Sequence, residues 1–186
     1  MRFRRSVILG IGVLLTVAAF ADRILVQSRQ HIAIPNTTTM LTLTSPAFEH
    51  NGTIPKRYTC DGENVSPELR IGGVPPNTKS LALMVDDPDA PVGTFTHWVV
   101  WNIPPNTTQI QVGAKDIGVE GTTSFSRTGY GGPCPPPGKS HRYYFKVYAL
   151  DIVLDLLTAG ANRTQLEMGI EQHLLAVAEL TGLYGR

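Results

Sequence analysis

Three short segments combine polar side chains with stiff backbone. Asp86-Asp87-Pro88-Asp89-Ala90-Pro91 follows an apolar run, and the prolines on either side of Asp89 fix φ, so its carboxylate is aimed. Thr96-His97-Trp98 opens a second apolar run, and Ser140-His141-Arg142-Tyr143 opens a third. Two imidazoles, a phenol hydroxyl and the backbone amides of Gly131-Gly132 can all donate hydrogen bonds, a set that favours an anion. A carboxylate such as Asp87 would repel a bare phosphate, but it can fix a histidine tautomer or meet the cationic end of a zwitterionic headgroup. Each segment also has a plainer reading. A histidine on a core face is commonly a satisfied core residue, and Asp-Pro-Asp is commonly a turn.

The elements that must position these groups are mostly strands. Met40–Thr44 alternates apolar and polar, as a half-buried strand does. Lys79–Val85 is nearly all apolar and suits a strand covered on both faces. In Phe95–Ile103, period two puts Phe95, His97, Val99 and Trp101 on one face; in Arg142–Leu150 it groups Tyr143, Phe145, Val147 and Ala149, with His141 in phase. Both imidazoles are thus expected on the packed side of a sheet, near strand ends, where a pocket can open. Gly72–Asn77, Pro104–Asn106 and the Gly/Pro-rich loop Gly129–Gly138 punctuate the runs. Short strands at this spacing predict a mainly β protein, a sandwich or barrel. From Asn162 to Leu180, Leu166, Ile170, Leu174, Val177 and Leu180 fall at helical spacing, with Asn162 as N-cap, so a C-terminal helix packed on the core is expected. Ile152–Ala159 fits either a strand end or a short helix.

Composition narrows the function classes. The 186 residues carry a formal charge of +1, which argues against a sequence-independent nucleic-acid binder. Charged residues make up only 17%, and 18 glycines with 14 prolines indicate many turns. Residues 1–21 have the parts of a signal peptide or membrane anchor: Arg2, Arg4 and Arg5, then the uncharged stretch Ser6–Ala21, ending in the cleavage-like Ala19-Phe20-Ala21. Residues 22–39 are polar and aperiodic and read as a flexible tether, leaving 40–186 as the folded domain. Taking the three arginines of 1–21 from the charge of +1 leaves −2 for the rest, so any anion must be captured by local groups rather than by the overall field. This pattern predicts an exported protein: periplasmic, secreted or anchored on the outer face of the cytoplasmic membrane. There, Cys60 and Cys134 are either a disulfide closing a long loop or two free thiols.

Asp87-Pro88-Asp89-Ala90-Pro91, His97 with Val99-Val100-Trp101-Asn102, and Gly132-Pro133 followed by His141-Arg142-Tyr143 resemble the phosphatidylethanolamine-binding protein family. Asp61-Gly62-Glu63-Asn64-Val65-Ser66-Pro67 and Gly131–Pro136 look like its bacterial and archaeal, Raf-kinase-inhibitor-like branch. The resemblance runs from about Leu41 to the C-terminus. It implies an antiparallel β-sandwich with a small anion pocket for phosphate or phosphoryl headgroups. Carried over by position, Asp87, Asp89, Pro91, His97, Gly132, His141 and Tyr143 form that pocket, with Ser66 and Pro67 nearby. It also implies a Cys60–Cys134 bridge, as in some exported relatives, and leaves a homodimer open. The kinase regulation of eukaryotic members does not carry over to an exported chain.

Three functions compete on these grounds. The first is a non-enzymatic module that binds a small anionic or phosphorylated ligand, without cofactor, catalytic residues or metal. The second is an inhibitor of exported serine proteases, acting through Gly129–Gly138, whose rigidity lowers the ordering cost of binding. The third is a metal-dependent hydrolase using the histidines and aspartates. Against the third stand the absence of a His-x₃-His or Cys-x₂-Cys pair and of a nucleophile-elbow motif.

Overall fold

Ser80–Asp87, the apolar run before the Asp-Pro-Asp segment, is buried along its whole length at the centre of a sheet. The computed structural model describes residues 40–186; the expected signal or anchor segment 1–21 and the expected tether 22–39 lie outside the described residues. In chain order the strands are β1 (Thr42–Thr44), β2 (Gly52–Thr53), β3 (Leu69–Gly72), β4 (Ser80–Asp87), β5 (Phe95–Ile103), β6 (Gln109–Ile110), β7 (Val119–Glu120), β8 (His141–Leu150) and β9 (Leu174–Tyr184), with helix α1 (Arg163–Ile170) before β9. They form a large sheet of order β2-β9-β8-β4-β5-β7 and a small one of order β1-β3-β6. Pairing is antiparallel except between β2 and β9, which run parallel.

Two cores lie on opposite faces of the large sheet. One joins it to the small sheet, through Leu81, Leu83, Val85, Trp98, Val100, Phe145 and Val147 against Leu43, Leu69, Ile71 and Ile110. The other joins it to α1, through Ala82, Met84, Val99 and Trp101 against Leu166 and Ile170. The fold is a mainly β sandwich with one short helix on its back. Each large side chain fully buried here contributes roughly 1.5–3 kcal/mol of transfer free energy.

Two readings of the sequence are corrected. The helix spans only Arg163–Ile170, and Leu174–Tyr184 is a strand. Asn162 does cap the helix, exchanging hydrogen bonds with Gln165 in a capping box. Beyond Ile170 the chain pairs with β8 from Leu150↔Leu174 to His141↔Tyr184. That ladder overrides the helical spacing, and it leaves Leu174 and Val177 exposed. Small residues permit it: a Cβ on Gly182 would meet Ile54 Cγ1 at 2.5 Å. Ile152–Ala159 forms turns, neither strand nor helix.

The second correction concerns which face of β5 each residue occupies. Val85 pairs with Trp98 but Asp86 pairs with Thr96, so His97 is an extra residue, a β-bulge. A second irregularity lies between Val100 and Ile103, where Asn102 has φ 55 and its side chain exchanges hydrogen bonds with the Leu154 backbone. Trp98 and Val100 therefore face the small sheet, while Val99 and Trp101 face the helix. His97 does not share a face with Val99 and Trp101.

Candidate functional site

The two aspartates that end β4 separate onto opposite faces. Asp86 accepts a hydrogen bond from Thr96 Oγ1 at 2.8 Å and one from Arg163 Nε at 3.1 Å, tying the helix to the sheet. Asp87 faces the other way. Its Oδ2 accepts from His141 Nδ1 at 2.7 Å and its Oδ1 from the Asp89 backbone N–H at 2.8 Å. A carboxylate used twice as acceptor fixes the proton of His141 on Nδ1 and leaves Nε2 for a ligand.

His97 reaches the same place from β5 because of the bulge. Its Nδ1 lies 2.7 Å from the Gly131 carbonyl oxygen, which can only accept, so Nδ1 carries the proton here too. Burial pushes the His97 pKa down; the carbonyls of Gly131 and Gly132 and the carboxylates of Asp87 and Asp86 oppose that only in part. With the proton on Nδ1 and the charged form disfavoured by burial, Nε2 is left as an acceptor. Its ring is held edge-on by Phe125 and Tyr143, with centroids 5.4 and 5.2 Å away.

Asp87, His97 and His141 form the polar floor of a pocket of about 240 Å³. The rest of its wall is Ala90, Pro91, Val92, Phe95, Phe125, Cys134, Pro135 and Pro136. Of the residues singled out in the sequence, Asp87, Pro91, His97 and His141 line this cavity and three others stand behind it. Asp89 is engaged by Arg142, through the backbone N–H at 2.9 Å, Nε at 2.8 Å and Nη2 at 2.6 Å. Those bonds from Arg142 lower its pKa from 3.8 to about 2. The pair fixes the start of β8, and with it His141. Tyr143 is buried beneath His97, its hydroxyl beside Asp87 but without a hydrogen bond of ordinary geometry. Burial, reinforced by Asp87, pushes that hydroxyl well above the usual phenol range.

The backbone amides expected to hold an anion are already used. Gly131 N–H donates to the His97 carbonyl at 2.9 Å, and Gly132 N–H donates to Asn64 Oδ1 at 2.7 Å. Ser66 and Pro67 are buried away from the cavity, and it is Asn64 through which the Asp61–Pro67 segment touches the site. Sequence reasoning missed the aromatic wall. Phe95 was seen only as a strand residue, and Phe125, in the polar loop Ser124-Phe125-Ser126, had no neighbouring signal.

The Pro-rich loop is clamped over one side of the pocket. Cys60 and Cys134 form a disulfide, with Cα atoms 5.4 Å apart. Cys60 N–H donates to the Pro133 carbonyl at 3.1 Å, and Arg186 Nε donates to that of Pro135 at 2.7 Å. Among the described residues, no group of three or more His, Cys, Asp or Glu side chains is arranged to hold a metal ion.

Comparison with known proteins gives the family. The family model described as phosphatidylethanolamine-binding protein matches residues 44–185. The UPF0098 protein PH1269 of Pyrococcus horikoshii is 49% identical over 151 residues, covering 76% of this chain and 75% of its own. A UPF0098 protein of Methanothermobacter thermautotrophicus is 49% identical over 152 residues, covering 78% and 99%. Among solved structures, a putative phosphatidylethanolamine-binding protein homolog, CT736 of Chlamydia trachomatis, superposes with a TM-score of 0.76 at 40% identity, covering 80% of this chain and 99% of its own. YbcL of E. coli, a member of the mammalian PEBP family, gives 0.74 at 33% identity, covering 78% and 98%. With matching strands, matching helix and a family model spanning nearly the whole described domain, this chain belongs to the phosphatidylethanolamine-binding protein family.

Proposed function

We propose that this protein is a non-enzymatic binding module whose pocket takes the phosphoryl or other oxyanion end of a small ligand. The observation that carries the reading is the convergence of His97 and His141. They come from different strands, each has Nδ1 held by an acceptor, and each is left with Nε2 at the floor of a cavity with largely apolar walls. The histidines meet the polar end, and Phe95, Phe125, Val92 and the prolines take the organic part. Membership of a family named for a phospholipid supports this choice of ligand class. Among the described residues the cavity wall offers no hydroxyl side chain, and its one cysteine is in the disulfide, so a hydroxyl or thiol nucleophile is lacking there.

The module works outside the cytoplasm in this reading, delivered or anchored by residues 1–21. The disulfide supports that location, since such bonds persist in oxidising compartments. The test is a titration of inorganic phosphate into the full chain, followed by NMR shifts of the histidine and neighbouring backbone signals. Saturable changes centred on His97 and His141 are expected, and they should vanish in the Asp87→Ala, His141→Ala double variant. Full binding by that variant would overturn the proposal.

A further inference from the structure

We infer that the pocket selects an oxyanion that still carries one proton, such as the monoanion of a phosphate monoester. His97 Nε2 accepts a hydrogen bond from the ligand's P–OH, while His141 Nε2–H donates to an ionised oxygen. The inference rests on the oxyanion reading above and adds a rule about protonation that the reading does not contain.

The two histidines look alike in sequence but are held by different partners. His141 Nδ1 donates to a carboxylate, so a second proton on its ring forms an imidazolium–carboxylate pair with Asp87. His97 Nδ1 donates to a neutral carbonyl in a buried setting ringed by Phe95, Phe125 and Tyr143. Around His97 stand Asp87 from β4, with Asp86 acting from the opposite face of that strand, His141 and Tyr143 from β8, and the carbonyls of Gly131 and Gly132 from the Pro-rich loop. None of these carboxylates is hydrogen-bonded to the His97 ring, and among the described residues no Lys or Arg lines the cavity. In this inference His141, backed by the Asp87 carboxylate, supplies the donor and His97, backed by a carbonyl, the acceptor.

A fully deprotonated oxyanion puts a lone pair against the His97 lone pair and pairs well only with His141. A singly protonated one satisfies both. Sites built to pair with a ligand hydroxyl discriminate strongly against analogues that lack it, because a buried polar group is then left unpaired. The organic end of the ligand does not enter this choice, so a free ester and a lipid headgroup obey the same rule.

Aminoethyl phosphate and aminoethyl sulfate form a matched pair, because at pH 6 about half of the phosphate ester still carries a proton, its second pKa being about 6, while the sulfate ester carries none. Both are titrated into the full chain at pH 6 by calorimetry. The phosphate ester is expected to bind more than about tenfold tighter. In His97→Gln, whose carboxamide can present an N–H, the preference should fall to about threefold or less. A wild-type protein that binds both esters equally overturns the inference and leaves the oxyanion reading in place. A protein that binds neither overturns the oxyanion reading itself. If His97→Gln fails to fold, ¹⁵N shifts of the wild-type imidazoles decide the matter. His97 should stay in the neutral Nδ1–H form when aminoethyl phosphate is bound, and protons on both of its nitrogens in the complex would overturn the inference.

Discussion

At the scale of single residues, the site depends on which atoms are already committed. Asp87 serves His141 and the Asp89 backbone at once, so Asp87→Asn removes the counter-ion of His141 while keeping the shape. That substitution should weaken phosphate binding at least roughly tenfold and cost about 1–3 kcal/mol of stability, read by titration and denaturant melts. Unchanged affinity would show that the pair has no part in binding. Asp89 offers a second test. Its pKa is depressed from 3.8 to about 2 by Arg142, so its contribution to stability is complete above about pH 4 and is lost as pH falls through 2. Thermal melts between pH 5 and pH 2 should fall more steeply for the native chain than for Arg142→Ala, in which Asp89 returns towards its ordinary value. Parallel curves would remove the ion pair from the account. The types of these residues were legible in the sequence, and so was their placement near strand ends. Their commitments were not. Whether the Gly132 amide is free depends on Asn64, 68 positions earlier in the chain, and local spacing says nothing about such a partner.

At the scale of elements, period two identified β1, β4, β5 and β8, because their apolar residues alternate or run without a break against a covered face. It failed where the ladder itself changes phase. The extra residue at His97 and the irregularity before Ile103 exchange the faces of β5, and a bulge has no side-chain signature of its own. It also missed β9, since Leu166, Ile170, Leu174, Val177 and Leu180 fit a helix while the chain from Leu174 fits the open edge of β8 equally well. The difference can be measured. A continuous helix would make Leu166→Ala and Leu174→Ala comparably costly. The observed strand makes the first cost about 2–5 kcal/mol, as a cavity under the helix. It makes the second nearly neutral, within about 0.5 kcal/mol, since Leu174 is exposed. Gly182→Val should destabilise by about 1–3 kcal/mol, because its Cβ would press on Ile54 and Phe48. Equal losses at Leu166 and Leu174 would contradict the strand.

At the scale of the whole molecule, the disulfide links Cys60, between β2 and β3, to the loop that walls the pocket. It closes a span of 74 residues, so its removal should cost about 4 kcal/mol in the chain-entropy description. For a domain of this size that corresponds to a fall in melting temperature on the order of 10 °C, measurable by calorimetry of the Cys60→Ser, Cys134→Ser variant. Because Cys134 itself lines the cavity, the same variant should bind phosphate more weakly at temperatures where it remains folded. Unaltered affinity would mean that the loop keeps its place through the Cys60–Pro133 and Arg186–Pro135 hydrogen bonds alone.

The bulge at His97 also couples the ladder to the site. Deleting that one position would let Thr96 and Trp98 oppose Asp86 and Val85 in unbroken register, so the sheet could close over the gap as an ordinary ladder. The sandwich would lose an imidazole and gain a regular strand. The same deletion would also release Gly131, which His97 holds through both its ring and its backbone carbonyl. The irregularity is thus the local feature that gives the proposed site one of its two imidazoles.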